Sequence, residues 1–177
     1  RRELINKKLT EYRLTAIKKQ INPHFTFNAL NAISYMNLKG DTCASEKYLN
    51  RFAELMREVI EHSDKNIIPL SSEIEFIRKY LSLEEMRLGD EFHYSIDIPE
   101  DCRQVEIPAM SVHTFVENAI KHGLFCIKGE KILNISAERV KHEVQIIIED
   151  NGRGLNENTK SSYSTGKGYE ILRQMIY

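Results

Sequence analysis

Four short segments of this chain carry side chains and backbone suited to chemistry. Asn22-Pro23-His24-Phe25 sits inside a helical pattern. A proline there removes a backbone donor and crowds the preceding turn, so a kink is expected. A kink can turn His24 away from its packing face. With an unperturbed pKa of about 6.5, a histidine is mostly neutral near pH 7, and its free lone pair can attack a phosphoryl group. The plainer meaning of such a short motif is a histidine that packs or caps beside a kink. In Glu117-Asn118-Ala119-Ile120-Lys121-His122-Gly123, Glu117 and Lys121 are four apart, as are Asn118 and His122, so each pair shares a helix face. Glu and Asn offer hard oxygen ligands of the kind a hydrated Mg²⁺ takes, and Lys and His can approach phosphate oxygens. An ordinary polar helix face has the same look. Asp150-Asn151-Gly152-Arg153-Gly154 follows a strand pattern. An Asp there can accept a hydrogen bond from an exocyclic amine, and glycines let the backbone approach a flat ligand. A plain Asx-Gly turn reads identically. Gly166-Lys167-Gly168 is the weakest of the four, a GxG that is expected to precede a last helix whose amides could meet phosphate.

The elements that must hold these segments change character near residue 91. Ile5, Leu9, Tyr12 and Ala16 step at helical spacing. Gly40-Asp41 predicts a turn. Tyr48, Phe52, Leu55, Met56 and Val59 form a second apolar stripe, with Glu54, Arg57, Glu58 and Glu61 facing water. Two such helices make a hairpin that buries its apolar faces best as a dimeric four-helix bundle. Ser72 and Glu75 have capping-box spacing for a third, linking helix that carries Ile74, Ile77, Leu81 and Leu88 and stops at Gly89. Phe92, Tyr94, Ile96 and Ile98 alternate as a strand, and a short strand is expected at Val105–Ile107. A helix is expected over 109–122, closed by Gly123. Leu133, Ile135 and Ala137, then Val144, Ile146 and Ile148, read as a hairpin turning at Lys141-His142. Residues 156–165 read as a polar loop, and a last helix is expected from Gly168.

Composition narrows the function classes. The chain has 177 residues, 25 Lys+Arg against 26 Asp+Glu, a net charge of -1 and 41% hydrophobic residues. That is enough apolar content for a core. It lacks the basic excess of a dedicated nucleic-acid binder. Cys43, Cys102 and Cys126 form no CxxC pair, which excludes a common zinc ribbon and a dense disulfide scaffold. No run approaches the roughly 20 apolar residues of a membrane span. The chain begins without Met and stops within what reads as a helical pattern, so a fragment of a longer protein is expected.

Order makes the four segments specific. ENAIKHG at a helix end, a strand hairpin, DNGRG, a polar loop and GxG together resemble the Bergerat-type ATP-binding domain of the GHKL superfamily. QINPHFTFNALNAI resembles the phosphoacceptor motif of the LytS-type sensor histidine kinases. The two together cover nearly the whole chain. The resemblance implies an α+β architecture: a dimerising helical hairpin over 1–63, a linking helix over 64–90, and a two-layer α/β sandwich over 91–177 that ends before its terminal strands. It implies that His24 is the phosphorylated histidine and that Asn118 ligands Mg²⁺, with Glu117 close to the metal's waters. Lys121 and His122 would lie near the phosphates of ATP. Asp150 would hold the adenine amino group, with Gly152 and Gly154 shaping that pocket. Residues 155–165 would form a short lid, and Gly166 and Gly168 would reach the phosphates.

The implied activity is Mg-ATP-dependent autophosphorylation of His24, followed by phosphoryl transfer to an aspartate of a response-regulator receiver domain. The implied partners are a second copy of the chain and that receiver domain, without nucleic acid. Membrane contact would come only through segments outside this sequence, at the cytoplasmic side. Three features depart from the commoner patterns. Phe25 follows the histidine where many other histidine kinases have an acid, as in the LytS-type group. Tyr169 and Ile171 stand where Leu and Asn usually follow the GxG. The sheet's last strands are missing. Two alternatives remain open: a nucleotide-binding dimeric scaffold without kinase activity, and a GHKL ATPase with Glu117 as base for water.

Overall fold

The structure, a computed structural model, describes residues 23–63, 65–141, 143–154 and 170–175. It divides into two compact units, Arg1–Asn66 and Ile67–Tyr177. The first helical stripe (Ile5 to Ala16) and any bend before Pro23 lie outside the described residues.

In the first unit, helix α1 (Pro23–Leu38) and helix α2 (Thr42–Ser63) form a hairpin. Gly40 takes a left-handed φ of 78° at the expected turn. Asp41 then caps α2, its Oδ1 accepting the Ala44 N–H at 2.9 Å. Ala29, Tyr48, Leu55 and Val59 are buried between the helices, and the Phe25 and Phe52 rings lie 5.8 Å apart. Phe27, Leu30, Tyr35, Leu38, Leu49 and Ile60 stay exposed, so the hairpin buries only part of its apolar surface.

The second unit is a mixed four-stranded sheet with helices on its buried face. Strand β1 (Ile67–Pro69) pairs antiparallel with β3 (Glu106–Pro108) as a separate two-stranded ribbon. Helix α3 (Leu70–Leu88) starts at once after β1. It begins two residues before the expected Ser72 cap, and no side chain caps it. The ribbon explains this: Leu70 N–H donates to the Val105 carbonyl at 2.8 Å and Ser71 N–H to Arg103 at 2.9 Å, so the first amides already have partners. Gly89 ends α3 with φ 74°, as its position predicts. The buried face of α3, expected to serve a linker, belongs to this unit.

Strand β2 (Phe92–Asp97) runs parallel to β4 (Lys131–Val140), which pairs antiparallel with β5 (Glu143–Asp150). Leu133, Ile135 and Ala137 face Asp150, Ile148 and Ile146 in register. The alternation read from the sequence is therefore the alternation of burial: those three and Val144, Ile146 and Ile148 are all buried. The turn at Lys141 takes a left-handed φ of 59°. Helix α4 (Ser111–Asn118) is shorter than the expected 109–122. The chain continues as a π turn (Ala119–Gly123) and a 3₁₀ turn (Leu124–Cys126).

The helix expected from Gly168 is a strand. Glu170–Met175 forms β6, antiparallel to β5 from Glu143↔Met175 to Ile148↔Glu170. The segment's own pattern suits a helix. The open edge of β5 offers a full row of backbone donors and acceptors, and pairing there overrides local propensity.

Asp41→Ala should lower stability in urea denaturation by about 1 kcal/mol, whereas Asp41→Asn, an equally good cap, should lie within a few tenths of the parent.

Candidate nucleotide site

The candidate residues of the second unit come from two places in sequence, and a close backbone approach joins them. Gly123, at the end of the π turn, packs against the Asp150 side chain. A Cβ on Gly123 would sit 2.5 Å from Asp150 Oδ1 and 2.9 Å from its Cγ. A Cβ on Gly152 would fall 2.6 Å from the same Oδ1 and closer still to the backbone of Gly123. Neither position has room for a side chain. Gly154 has a different reason to be glycine, a left-handed φ of 70°.

Asp150 closes an Asx turn, its Oδ1 accepting the Gly152 N–H at 2.8 Å. The next residue laces the turn to the sheet. Asn151 Oδ1 accepts Ile132 N–H at 2.8 Å, its Nδ2 donates to the Glu130 carbonyl at 2.9 Å, and its backbone N–H donates to the Ile132 carbonyl at 3.2 Å. The DNGRG turn is thus tied to the start of β4, so Asp150 has little freedom to move. Burial raises the Asp150 carboxyl pKa, and the Gly152 N–H opposes the rise.

The π turn changes the face relationships read from the sequence. A π turn closes i→i+5 bonds, so it widens the spiral where Lys121 and His122 lie. Glu117 and Lys121 still interact: burial raises the Glu117 pKa, Lys121 lowers it, and Glu84 of α3 raises it again. Glu117 and Lys121 are half-buried, while Asn118 and His122 are exposed. No group of three or more His, Cys, Asp and Glu side chains that could hold a metal occurs among the described residues. A metal held here would need non-protein oxygens, and Mg²⁺ typically combines few protein ligands with waters and substrate phosphates. An exposed Asn118, next in sequence to the half-buried Glu117, fits that pattern.

His24 lies in the first turn of α1, in the other unit. Gly166 and Gly168 and the expected lid at 155–165 lie outside the described residues. Over the described residues, the helix expected to follow Gly168 is replaced by the strand β6 (Glu170–Met175).

The sequence reading missed three acidic or basic side chains of α3. Glu73 is fully buried, and its Oε1 accepts the His113 N–H at 2.9 Å in the first turn of α4. Burial pushes its pKa up to about 7, against the pull of the His113, Val112 and Met110 amides. His113 lies edge-on to Phe76 and Tyr80, with centroids 5.0 and 4.9 Å away, and burial pushes its pKa down to about 4. Glu84, also buried, bonds Arg87 Nε at 2.9 Å and also takes Arg87 Nη2. A signal was available: Glu73, Ile77, Tyr80, Glu84 and Arg87 step by four, three, four and three, in register with the apolar stripe.

Glu73 and His113 pull stability in opposite directions. The raised Glu73 pKa favours the fold at low pH, and that contribution fades between about pH 4.5 and 7. The lowered His113 pKa favours the fold at high pH, and that contribution fades as pH falls from 6.5 to about 4. Glu73→Gln should unmask the second. Denaturation free energy should then rise more steeply with pH between 4.5 and 6.5 than in the parent, by up to about 1.4 kcal/mol per pH unit. Gly152→Ala should destabilise by about 1–3 kcal/mol in the same assay, because backbone must shift to admit the methyl group.

Comparison with known proteins follows the same division of motifs. A family model described as "Histidine kinase" matches residues 12–92. The sensor protein LytS of Staphylococcus haemolyticus (strain JCSC1435) is 30% identical over 183 residues, covering 98% of this chain and 31% of that protein. The sensor histidine kinase YpdA of Escherichia coli (strain K12) is 35% identical over 156 residues, covering 88% of this chain and 26% of that protein. The chain thus spans under a third of the length of these curated relatives. Among solved structures, the histidine kinase domain of the Erythrobacter litoralis EL346 blue-light-activated kinase aligns with a TM-score of 0.43 at 16% identity, covering 89% of this chain and 78% of that one. With relatives running through both the NPHF segment and the ENAIKHG–DNGRG segments, the chain belongs to the LytS-type sensor histidine kinase family.

Proposed function

We propose that this chain is part of the catalytic core of a two-component sensor kinase, transferring the γ-phosphoryl group of ATP to His24 and then to an aspartate of a response-regulator receiver domain. The observation that carries the reading is the contact of Gly123, Asp150 and Gly152, which brings the ENAIKHG and DNGRG segments to one half-buried carboxylate. A carboxylate held rigid beside backbone without side chains suits a flat base bearing an amino group. Family membership supplies the rest of the support.

In this reading the first unit is the dimerising, phosphoacceptor hairpin. Its exposed Phe27, Leu30, Tyr35, Leu38, Leu49 and Ile60 favour burial against a second copy as a four-helix bundle. The second unit is the nucleotide-binding domain, of Bergerat type. Asp150 takes the adenine amino group, and Gly152 and Gly154 leave room for the ring. Asn118 ligands Mg²⁺, and Glu117 accepts hydrogen bonds from its waters. Bound Mg²⁺ supplies charge neutralisation at the phosphates. Lys121 and His122 add positive or donor groups there, and Gly166 and Gly168 would reach the phosphates. The neutral form of the His24 imidazole would present the lone pair that accepts the phosphoryl group. Among the described residues, no helix is long and apolar enough to cross a membrane. Anchoring at the cytoplasmic face would fall to other parts of the parent protein.

Strand β6, where a helix was expected after the GxG, favours a second reading: a dimeric scaffold that binds nucleotide without phosphotransfer.

Incubation with γ-labelled Mg-ATP separates the two. The kinase reading expects acid-labile, base-stable label on the protein, lost in His24→Gln. Full labelling of His24→Gln would remove the assignment of His24. ATP binding without label, in a chain extended through the terminal strands of the sheet, would favour the scaffold.

A further inference from the structure

Helix α4 carries Glu117 and Asn118 in its last turn, and its first turn has no cap of its own. Met110, in the N-cap position, takes a left-handed φ of 64° instead of the extended backbone of a capping residue, and its side chain caps nothing. The first turn is served from another helix. Glu73, fully buried on α3 and 40 residues earlier in the chain, accepts the His113 N–H at 2.9 Å. Two further side chains of α3 close on the same residue: the rings of Phe76 and Tyr80 lie edge-on to the His113 imidazole, with centroids 5.0 and 4.9 Å away. The far end of the segment is held as well, by the close approach of Gly123 to Asp150 and Gly152.

A cap drawn from another helix does more than a local one. A Ser, Thr, Asp or Asn beside the first turn satisfies its amides wherever the helix points. An acceptor on α3 does so only while α4 lies at one place along α3, so the hydrogen bond also constrains position. Capping alone would not call for a carboxyl here. The second oxygen of Glu73, Oε2, is buried and makes no hydrogen bond among the described residues. A buried polar atom left without a partner is costly. Against that cost stands the placement of a helix of eight residues, about two turns, whose last residue is Asn118. Over so short and stiff an element, a shift at the first turn is also a shift at the last.

We infer that Glu73 is a positioning residue for the nucleotide site: by capping α4 from α3 it fixes where that helix lies, and with it the placement of Asn118 and Glu117 relative to Asp150. This inference rests on the nucleotide-site reading above. It gives α3, which lies outside every motif of that site, a part in shaping it.

The test compares Glu73→Met, of like size but without an acceptor, with Glu73→Gln, which keeps an oxygen able to accept the His113 N–H. Three quantities are read on the chain extended through the terminal strands of the sheet. They are the thermal midpoint, the affinity for a fluorescent ATP analogue with Mg²⁺ at a temperature where every variant is folded, and amide hydrogen exchange across residues 111–123. Glu73→Met should lower the midpoint, weaken binding about tenfold and speed exchange across that segment. Glu73→Gln should bring affinity and exchange back close to those of the parent. A Met variant that loses stability yet binds as tightly as the parent would overturn the inference, since a role in folding alone predicts that result. Equal weakening by Gln and Met would also overturn it, because the acceptor would then not be what matters. Should Glu73→Met fail to fold, Glu73→Asp keeps the carboxylate but is one methylene shorter, and an unchanged affinity there would overturn the inference. Absence of Mg-ATP binding by the parent chain would instead remove the nucleotide-site reading. Exchange left unchanged by Glu73→Met would then still refute the hold of Glu73 on α4.

Discussion

The second unit is organised around one close approach, the backbone of Gly123 against that of Gly152 with the Asp150 carboxylate between them. It joins the end of a helical segment to the end of a strand. Asn151 binds the strand end to β4 through three hydrogen bonds. The π turn delivers Gly123 after a helix of only eight residues. A regular helix would carry the chain onward along its axis, whereas the wider π turn redirects it, and such turns recur at functional positions.

Around that contact the electrostatics are those of buried acids held by backbone and by one arginine. Glu73 serves the first turn of α4, where amide groups lack partners and an acceptor is favoured. Its neighbour His113 is kept neutral among aromatic rings. Glu84 needs Arg87 because a lone buried carboxylate would be far costlier. The residues proposed for the nucleotide site and these acids differ in burial: Asn118 and His122 are exposed, while Glu73 and Glu84 are buried.

Much of this was legible in the sequence. Alternation in 133–137 and 144–148 gave the hairpin and its buried face, because a strand's period of two is a local property. The turn at Gly40-Asp41 and the stop at Gly89 were equally local. The candidate site was legible as segments, since residue type and order carry the resemblance. What the sequence hid was non-local. The start of α3 depends on carbonyls of Arg103 and Val105, thirty or so residues away, and so the Ser72–Glu75 spacing misled. The fate of 170–175 depends on the open edge of β5 and not on its own helical pattern. Glu73 and Glu84 went unread because charge, taken by itself, argues for solvent. Only their register with the apolar stripe argued otherwise. The roles given to His24, Gly166 and Gly168 rest on motif alone.

The parallel pairing of β2 with β4 has a consequence for how the protein assembles. Antiparallel neighbours can close through a short turn, as β4 and β5 do, but parallel ones cannot. Between Asp97 and Lys131 the chain must cross over, and that crossover contains β3, α4 and the π turn. Pairing β2 with β4 therefore closes a loop that contains the segment proposed for the nucleotide site. Contacts this distant in sequence form slowly, because loop-closure entropy is lost before they reward it. Hairpin β4–β5, with its near neighbours, is the natural early structure, and β2 docks late. On that order of events, the loop bearing Glu117 and Asn118 is closed only when β2 meets β4.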